Sequence, residues 1–157
     1  MKQTKQPNFN VIGQYIKDLS FENFAARQAP QPGKEPMVEV NADVEYQSFS
    51  NIPGAPKHTY EVALTLSTTM KMGDQQLFIA EVKYAGIVQF ESECKEEQLE
   101  PIMYIEIPYY LFFETRNLIA SLAAQSGFGP ILLRPVDFSQ IYLKKSKHGH
   151  KFKEKIQ

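Results

Sequence analysis

The sequence predicts an α+β fold: a four-stranded antiparallel sheet with two helices packed on one of its faces. Three observations carry that prediction. Four segments within the first ninety residues alternate apolar and polar positions at the two-residue period of half-buried strands. The last third places apolar residues at helical spacing. A chain of 157 residues with 43% hydrophobic content is long and apolar enough for one domain around one core.

The first strand covers residues 9–23, "FNVIGQYIKDLSFEN". Strict alternation places Phe9, Val11, Tyr15, Leu19 and Phe21 on an inner face, and Ile16, Asp18, Ser20 and Glu22 together on the other. The second strand, "MVEVNADVEY" (37–46), sets Val38, Val40, Ala42, Val44 and Tyr46 inward against Glu39, Asn41, Asp43 and Glu45. After the turn-rich "SNIPGAPK", the third strand (59–72) directs Tyr60, Val62, Leu64, Leu66 and Met70 to the core. A Gly-Asp hairpin turn leads into the fourth (77–90), which carries Phe78, Ala80, Val82 and Tyr84 on one side and Leu77, Ile79, Glu81 and Lys83 on the other. Pro108 fits the first turn of a long helix, with Leu111, Phe112, Thr115, Leu118, Ile119 and Leu122 on its apolar stripe and Gly127 as its C-terminal cap. "FGPILLRP" reads as an extended connection, and Asp137 with Gln140 three residues later reads as a capping box for a second helix bearing Phe138, Ile141 and Tyr142.

Charge divides the chain unevenly. Residues 144–157, "KKSKHGHKFKEKIQ", hold six lysines and one acid out of totals of 17 and 18, which leaves 11 basic and 17 acidic groups in residues 1–143. An acidic body repels phosphate and favours basic partners, so stable nucleic-acid binding by the folded part is not expected. The domain is expected over 9–143, with a flexible N-terminus at 1–8 and a basic, disordered tail at 144–157. No stretch of the sequence is apolar for as long as a membrane-spanning helix requires, and no apolar segment follows the first lysines, so no membrane binding is expected. A single cysteine, Cys94, fits a reducing compartment, and the expected location is the cytoplasm.

Catalytic constellations are missing from the pattern. His58 falls in a predicted turn, and His148 and His150 fall in the tail, so no triad with an ordered histidine can be assembled and no metal or cofactor is expected. "SGFGP" lacks the length and the Lys-Ser/Thr of a phosphate loop. The acid run "ESECKEEQLE" reads as a solvated loop or helix face. Binding is favoured over chemistry.

Four blocks, "YIKDLSFE" (15–22), "LFIAEVKYAGIVQF" (77–90), "IPYYLFFETRNLIASL" (107–122) and "GFGPILLRPVDF" (127–138), together with the spacing between them, resemble the SecB family of bacterial protein-export chaperones. The resemblance implies a homotetramer, a dimer of dimers, that holds unfolded preproteins without using ATP and hands them to the translocase ATPase SecA. It implies a SecA-docking surface at Asp18, Glu22, Ile79 and Glu81, where an acidic patch beside an aliphatic anchor suits a basic partner. It implies client-binding grooves at Val38, Val40, Phe128, Ile131, Leu133, Phe138 and Tyr142, and subunit contacts along Leu111, Phe112, Thr115, Leu118, Ile119 and Leu122. Phe113 stands where the family commonly has proline, and the basic tail departs from the acidic one common in the family. Two rival classes share parts of this pattern: a SecB-like chaperone dedicated to a toxin–antitoxin pair, which would keep the grooves and lose the SecA surface, and a small enzyme or ligand-binding α+β domain with a closed polar pocket.

Overall fold

The computed structural model describes residues 6–154, with side chains described through Ser146. Four strands, β1 (Phe9–Asn23), β2 (Pro36–Ser48), β3 (Thr59–Met72) and β4 (Gln75–Phe90), form one antiparallel sheet in the order β1-β4-β3-β2. Hairpins join β2 to β3 and β3 to β4, while β1 and β2 occupy opposite edges. The connection between those edges crosses the end of the β3–β4 hairpin, where Phe24 N–H donates to the Leu77 carbonyl at 2.9 Å and Gln28 Nε2 to the Gln76 carbonyl at 2.5 Å. Gly73 turns that hairpin with φ of 60°, a left-handed backbone that favours glycine, with the end of the Gln31 side chain lying close over it.

Register partners in an antiparallel sheet share a face, so the pairing fixes which residues meet the helices. The inner face presents Val62, Leu64, Leu66 and Met70 from β3 and Phe78, Ala80, Val82, Val88 and Phe90 from β4, all buried as the sequence predicts. Against them lies a nearly continuous helical rod: α1 (Glu96–Pro101), a π turn (Ile102–Glu106) and α2 (Ile107–Gln125). Leu99, Met103, Ile107, Leu111, Phe112 and Ile119 fill the interface, each removing apolar surface worth about 1.5–3 kcal/mol when fully buried. The rod begins twelve residues before the expected start at Pro108. Its first turn holds Glu96 and Glu97, favourable at a positive helix end, so the acid run is partly the start of α1. Pro108 has no N–H to donate, and its ring would crowd the Tyr104 carbonyl of a regular helix. The π turn resolves this by a wider ring, Ile107 N–H to the Ile102 carbonyl, so the proline sits within the rod and does not open it.

Gly127 ends α2 as predicted. With φ of 90°, it lets Phe128 N–H reach the Ala123 carbonyl at 3.1 Å and Gly127 N–H the Ala124 carbonyl at 3.3 Å, the two bonds of a Schellman cap. The chain then runs extended to Asp137, whose Oδ1 accepts the Gln140 N–H at 3.3 Å and starts α3 (Phe138–Glu154). Phe138 is fully buried between Tyr109 and Phe112, which docks α3 on α2. α3 continues through the lysine-rich segment to Glu154, where the sequence predicts a disordered tail from 144. At the other end, Gln6 Nε2 bonds Glu106 of the helical rod at 3.0 Å and Asn8 Nδ2 bonds Glu91, just past β4, at 3.1 Å, so both ends of residues 6–8 of the expected flexible N-terminus are tied to the domain. Residues 1–5 and 155–157 lie outside the described part.

β1 departs from strict alternation twice. Ile12 and Lys17 have no register partners: Val11 pairs with Val88 and Gly13 with Ile87, then Ile16 pairs with Tyr84 and Asp18 with Lys83. Each bulge reverses the inward–outward phase and the second restores it. Phe9, Val11, Leu19 and Phe21 therefore keep the predicted inner face, while Tyr15, between the bulges, turns outward. Ile16 turns to the Tyr84 side, away from Asp18, which corrects the expected grouping of Ile16 with the acids.

α2 crosses β4 over Gly86, where a Cβ would lie 3.1 Å from Leu111 Cδ2. Gly86→Val is expected to lower stability by about 1–3 kcal/mol through overpacking, measured as a reduced urea midpoint with unchanged slope.

Candidate functional site

Two surfaces stand out, one on each side of the sheet. The first is a groove of about 390 Å³ between the inner side of β2 and the extended connection before α3. Val38 and Val40 form one wall; the run from Ile131 to Val136, including Arg134, forms the other. Two prolines, Pro130 and Pro135, keep the connection extended, so its side chains alternate: Leu133 is buried and Leu132 stands 78% exposed. Four of the seven residues expected in the client groove meet here: Val38, Val40, Ile131 and Leu133. Phe128 lies apart, with its ring 5.0 Å from that of Phe78. Phe138 belongs to the core, so it has no surface to offer a client. Tyr142 packs instead on the helical rod, stacked 5.7 Å from Tyr104 and donating to Glu100 Oε2 at 3.1 Å. Leu132 and Val136 are groove residues that helical or strand periodicity does not single out; the signal for them is the apolar run between the two prolines.

The second surface is the outer face of the sheet, which no helix covers. Register places Glu39, Asp43 and Glu45 of β2, Glu61 of β3, Ile79, Glu81 and Lys83 of β4, and Asp18 and Glu22 of β1 on it. Thus Asp18, Glu22, Ile79 and Glu81 come together as expected: Glu22 pairs with Ile79, and Ser20, between the two acids, pairs with Glu81. The face is compensated on one half only. All four ion pairs among the described residues end on β2 or β3: Lys17 on Glu61 at 2.6 Å, Lys71 on Glu39 at 3.1 Å, Lys145 on Asp43 at 2.9 Å, and Lys83 on Glu45. On the β1–β4 half, Glu81 accepts the Ser67 hydroxyl at 2.7 Å and Asp18 accepts the N–H of Leu19 at 3.0 Å. Neither these two carboxylates nor Glu22 enters an ion pair among the described residues.

Glu61 anchors the compensated half. Buried on the outer face, it accepts hydrogen bonds from the Tyr15 hydroxyl, from Lys17 Nζ and from Gln47 Nε2 at 3.4 Å, so it ties the β1 edge to β3 across β4. Ala85, which faces Tyr15 on one side and Ala63 on the other, is small enough to let those side chains pass above it. Burial pushes the Glu61 carboxyl up, but the bonds from Lys17 and Tyr15 outweigh it and hold the carboxyl below its ordinary range. Burial and the adjacent carboxylate push the Tyr15 phenol up to about 12.

The expected subunit contacts on α2 need correction. Leu111, Phe112, Thr115 and Ile119 are buried against the chain's own sheet, where Thr115 Oγ1 donates to the Leu111 carbonyl at 2.7 Å, and so they have no surface left for a partner. Leu118 and Leu122 are half-buried. The open apolar face of α2 is instead Tyr110 and Phe113, 57% and 54% exposed, with the Arg116 guanidinium 5.3 Å over the Phe113 ring. The helix passes through Phe113 without interruption.

Among the described residues no three His, Cys, Asp or Glu come together at metal-binding geometry, and no helix is long and apolar enough to cross a membrane. An open groove with largely aliphatic walls lies on one side of the sheet and a charged face on the other. The chain belongs to the SecB family: the family model described as preprotein translocase subunit SecB matches residues 2–149. It is similar to the protein-export protein SecB of Hyphomonas neptunium, 38% identical over 136 residues that span 87% of this chain and 77% of that one. It is similar also to that of Dechloromonas aromatica, 33% identical over 145 residues, 92% of this chain and 91% of the relative. The fold is shared with a Mycobacterium tuberculosis SecB-like chaperone solved in complex with a peptide from an antitoxin, at a TM-score of 0.66 and 13% identity over 82% of this chain and 90% of that one.

The raised phenol of Tyr15 favours the neutral form in the folded state, so its contribution to stability is complete below about pH 10 and is lost as pH rises toward about 12. Tyr15→Phe is expected to flatten the alkaline fall in urea midpoint over that window, and to remove one late-ionising phenol from the absorbance titration at 295 nm.

Proposed function

We propose that this chain is an ATP-independent holding chaperone of protein export, which binds unfolded preproteins in the cytoplasm and passes them to the translocase ATPase SecA. The observation that carries the reading is the open groove under the extended connection, with Leu132 exposed on its rim. A monomeric surface rarely leaves so large a leucine uncovered beside further valines and isoleucine without a use for it. Apolar burial is non-directional, so a groove whose walls are aliphatic apart from Arg134 and Pro135 accepts extended segments of many sequences, as a holding chaperone requires.

SecA is assigned to the β1–β4 half of the outer face. Carboxylates already paired with lysines attract a basic partner weakly; Asp18, Glu22 and Glu81 retain their field, and half-buried Ile79 among them offers an apolar contact. The two surfaces lie on opposite sides of the sheet, so a client in the groove leaves the acidic half accessible. For assembly we assign a homotetramer, with Tyr110 and Phe113 of α2 and the exposed Ile12 of the β1 edge as the apolar surfaces a second copy would cover.

Leu132→Asp is expected to keep the fold and weaken capture of a reduced, alkylated globular protein by roughly tenfold, since a client must then desolvate a charge. Leu133→Asp, at a buried position, is expected to unfold the chain. Client binding by Leu132→Asp equal to wild type would remove the groove as the client site. For the acidic half, Asp18→Asn with Glu22→Gln is expected to weaken SecA binding by roughly tenfold at low salt, with client capture unchanged and the wild-type affinity falling as salt is added. Calorimetric titration of SecA into both proteins reads this directly, and equal affinities would detach SecA from this face.

A further inference from the structure

Asp18 has two lysine neighbours that would ordinarily neutralise it. Lys17 precedes it in the chain, and Lys83 stands directly opposite it in the β1–β4 register. Opposed residues of an antiparallel pair have Cβ atoms about 5 Å apart, well within the reach of a lysine. Neither lysine takes it. Lys17 is drawn to Glu61 on β3, and Lys83 turns away from β1, passes over β3 and bonds Glu45 on β2.

The register shows why Lys83 lands there. Asp18, Lys83, Thr65 and Asp43 form one row straight across the sheet, so Lys83 stands between an acid on each edge strand. Lys145, arriving from α3, already holds Asp43 at 2.9 Å and also donates to the Val44 carbonyl. The next carboxylate along β2 on the same face is Glu45, opposite Ala63, whose methyl leaves the path over β3 open. Asp18, meanwhile, bonds its neighbouring backbone N–H.

We propose that Glu45 is a positioning residue for the acidic docking face: by holding Lys83 over β3 it keeps Asp18 uncompensated and free for a basic partner segment. Glu61 does the same for Lys17, but as a buried strut it cannot be changed without disturbing the sheet, so Glu45 is the testable member. Ion pairs between partly exposed groups are individually weak, so the two positions of Lys83 are close in energy and loss of Glu45 is enough to move it. The inference rests on the docking role assigned to Asp18 and Glu22, and deepens it by naming what sets that surface's charge.

The test combines a structure with a binding cycle. In crystals of Glu45→Gln, Lys83 Nζ is expected within about 4 Å of the Asp18 carboxylate, the usual span of an ion pair. Titration of SecA at low salt is expected to show Glu45→Gln weakened roughly threefold. Glu39→Gln removes the same charge from the same strand but releases Lys71, whose β4 partner is Gln76, and is expected to bind nearly as wild type. Adding Glu45→Gln to Asp18→Asn should cost little more, because the site Lys83 would neutralise is gone, whereas a simple net-charge effect would add in full. Lys83 still lying over β3 in the variant, equal losses for Glu45→Gln and Glu39→Gln, or an additive cycle would each overturn the inference. If instead Asp18→Asn with Glu22→Gln leaves SecA binding unchanged, the docking assignment itself fails and the role of Glu45 fails with it, even where Lys83 has moved.

Discussion

Everything in this structure depends on a sheet that is covered on one side only. The helical rod of α1, the π turn and α2 is one element wide, and it buries the inner faces of β3 and β4 while leaving the opposite face without a layer. An uncovered face must be hydrated, so its residues are charged, and charges that close together must be balanced or tolerated. Balance is achieved on β2 and β3 by lysines from four different elements: β1, β3, β4 and α3. The inner layer has a matching economy. The rod lies over the centre of the sheet, the connection from α2 to α3 must return alongside β2, and the space left between that connection and the strand is the groove.

Much of this architecture is legible in the sequence, for physical reasons that can be named. β2 and β3 pair without a bulge along their whole length, so a period of two predicts every inward residue from Val38 to Tyr46 and from Tyr60 to Met70. Gly73, Gly127 and Asp137 each occupy a position where backbone geometry narrows the choice of residue, and each is placed correctly by that logic. The acidic set of Asp18, Glu22, Ile79 and Glu81 is brought together because β1 regains its phase before Asp18 and β4 keeps its phase from Phe78 onward.

What the sequence hides is local irregularity and tertiary reach. Pro108 falls in the first turn of α2, as the sequence predicts, but nothing in the one-dimensional pattern announces that α1 and a π turn run into it without a break. Helical periodicity marks Leu111, Phe112, Thr115 and Ile119 as apolar without saying whether the chain's own sheet or another subunit covers them, and the sheet does. A basic segment reads as a solvated tail because its composition cannot show that Lys145 will find Asp43 and the Val44 carbonyl at the β2 edge. The division of the outer face into paired and unpaired halves is similarly invisible, since it depends on which way Lys83 leans.

The two bulges of β1 behave like a pair of compensating frameshifts. One bulge alone, with the other extra residue drawn into the pairing, would put every residue on its far side out of phase, sending Asp18 and Glu22 toward the helices or Phe9 and Val11 into water. Ile12 and Lys17 are each an extra residue left out of the pairing, so deleting either one closes its bulge and leaves every other residue of β1 opposite its present β4 partner. A length change of one residue in this strand is thereby absorbed at a bulge, without turning the apolar face outward.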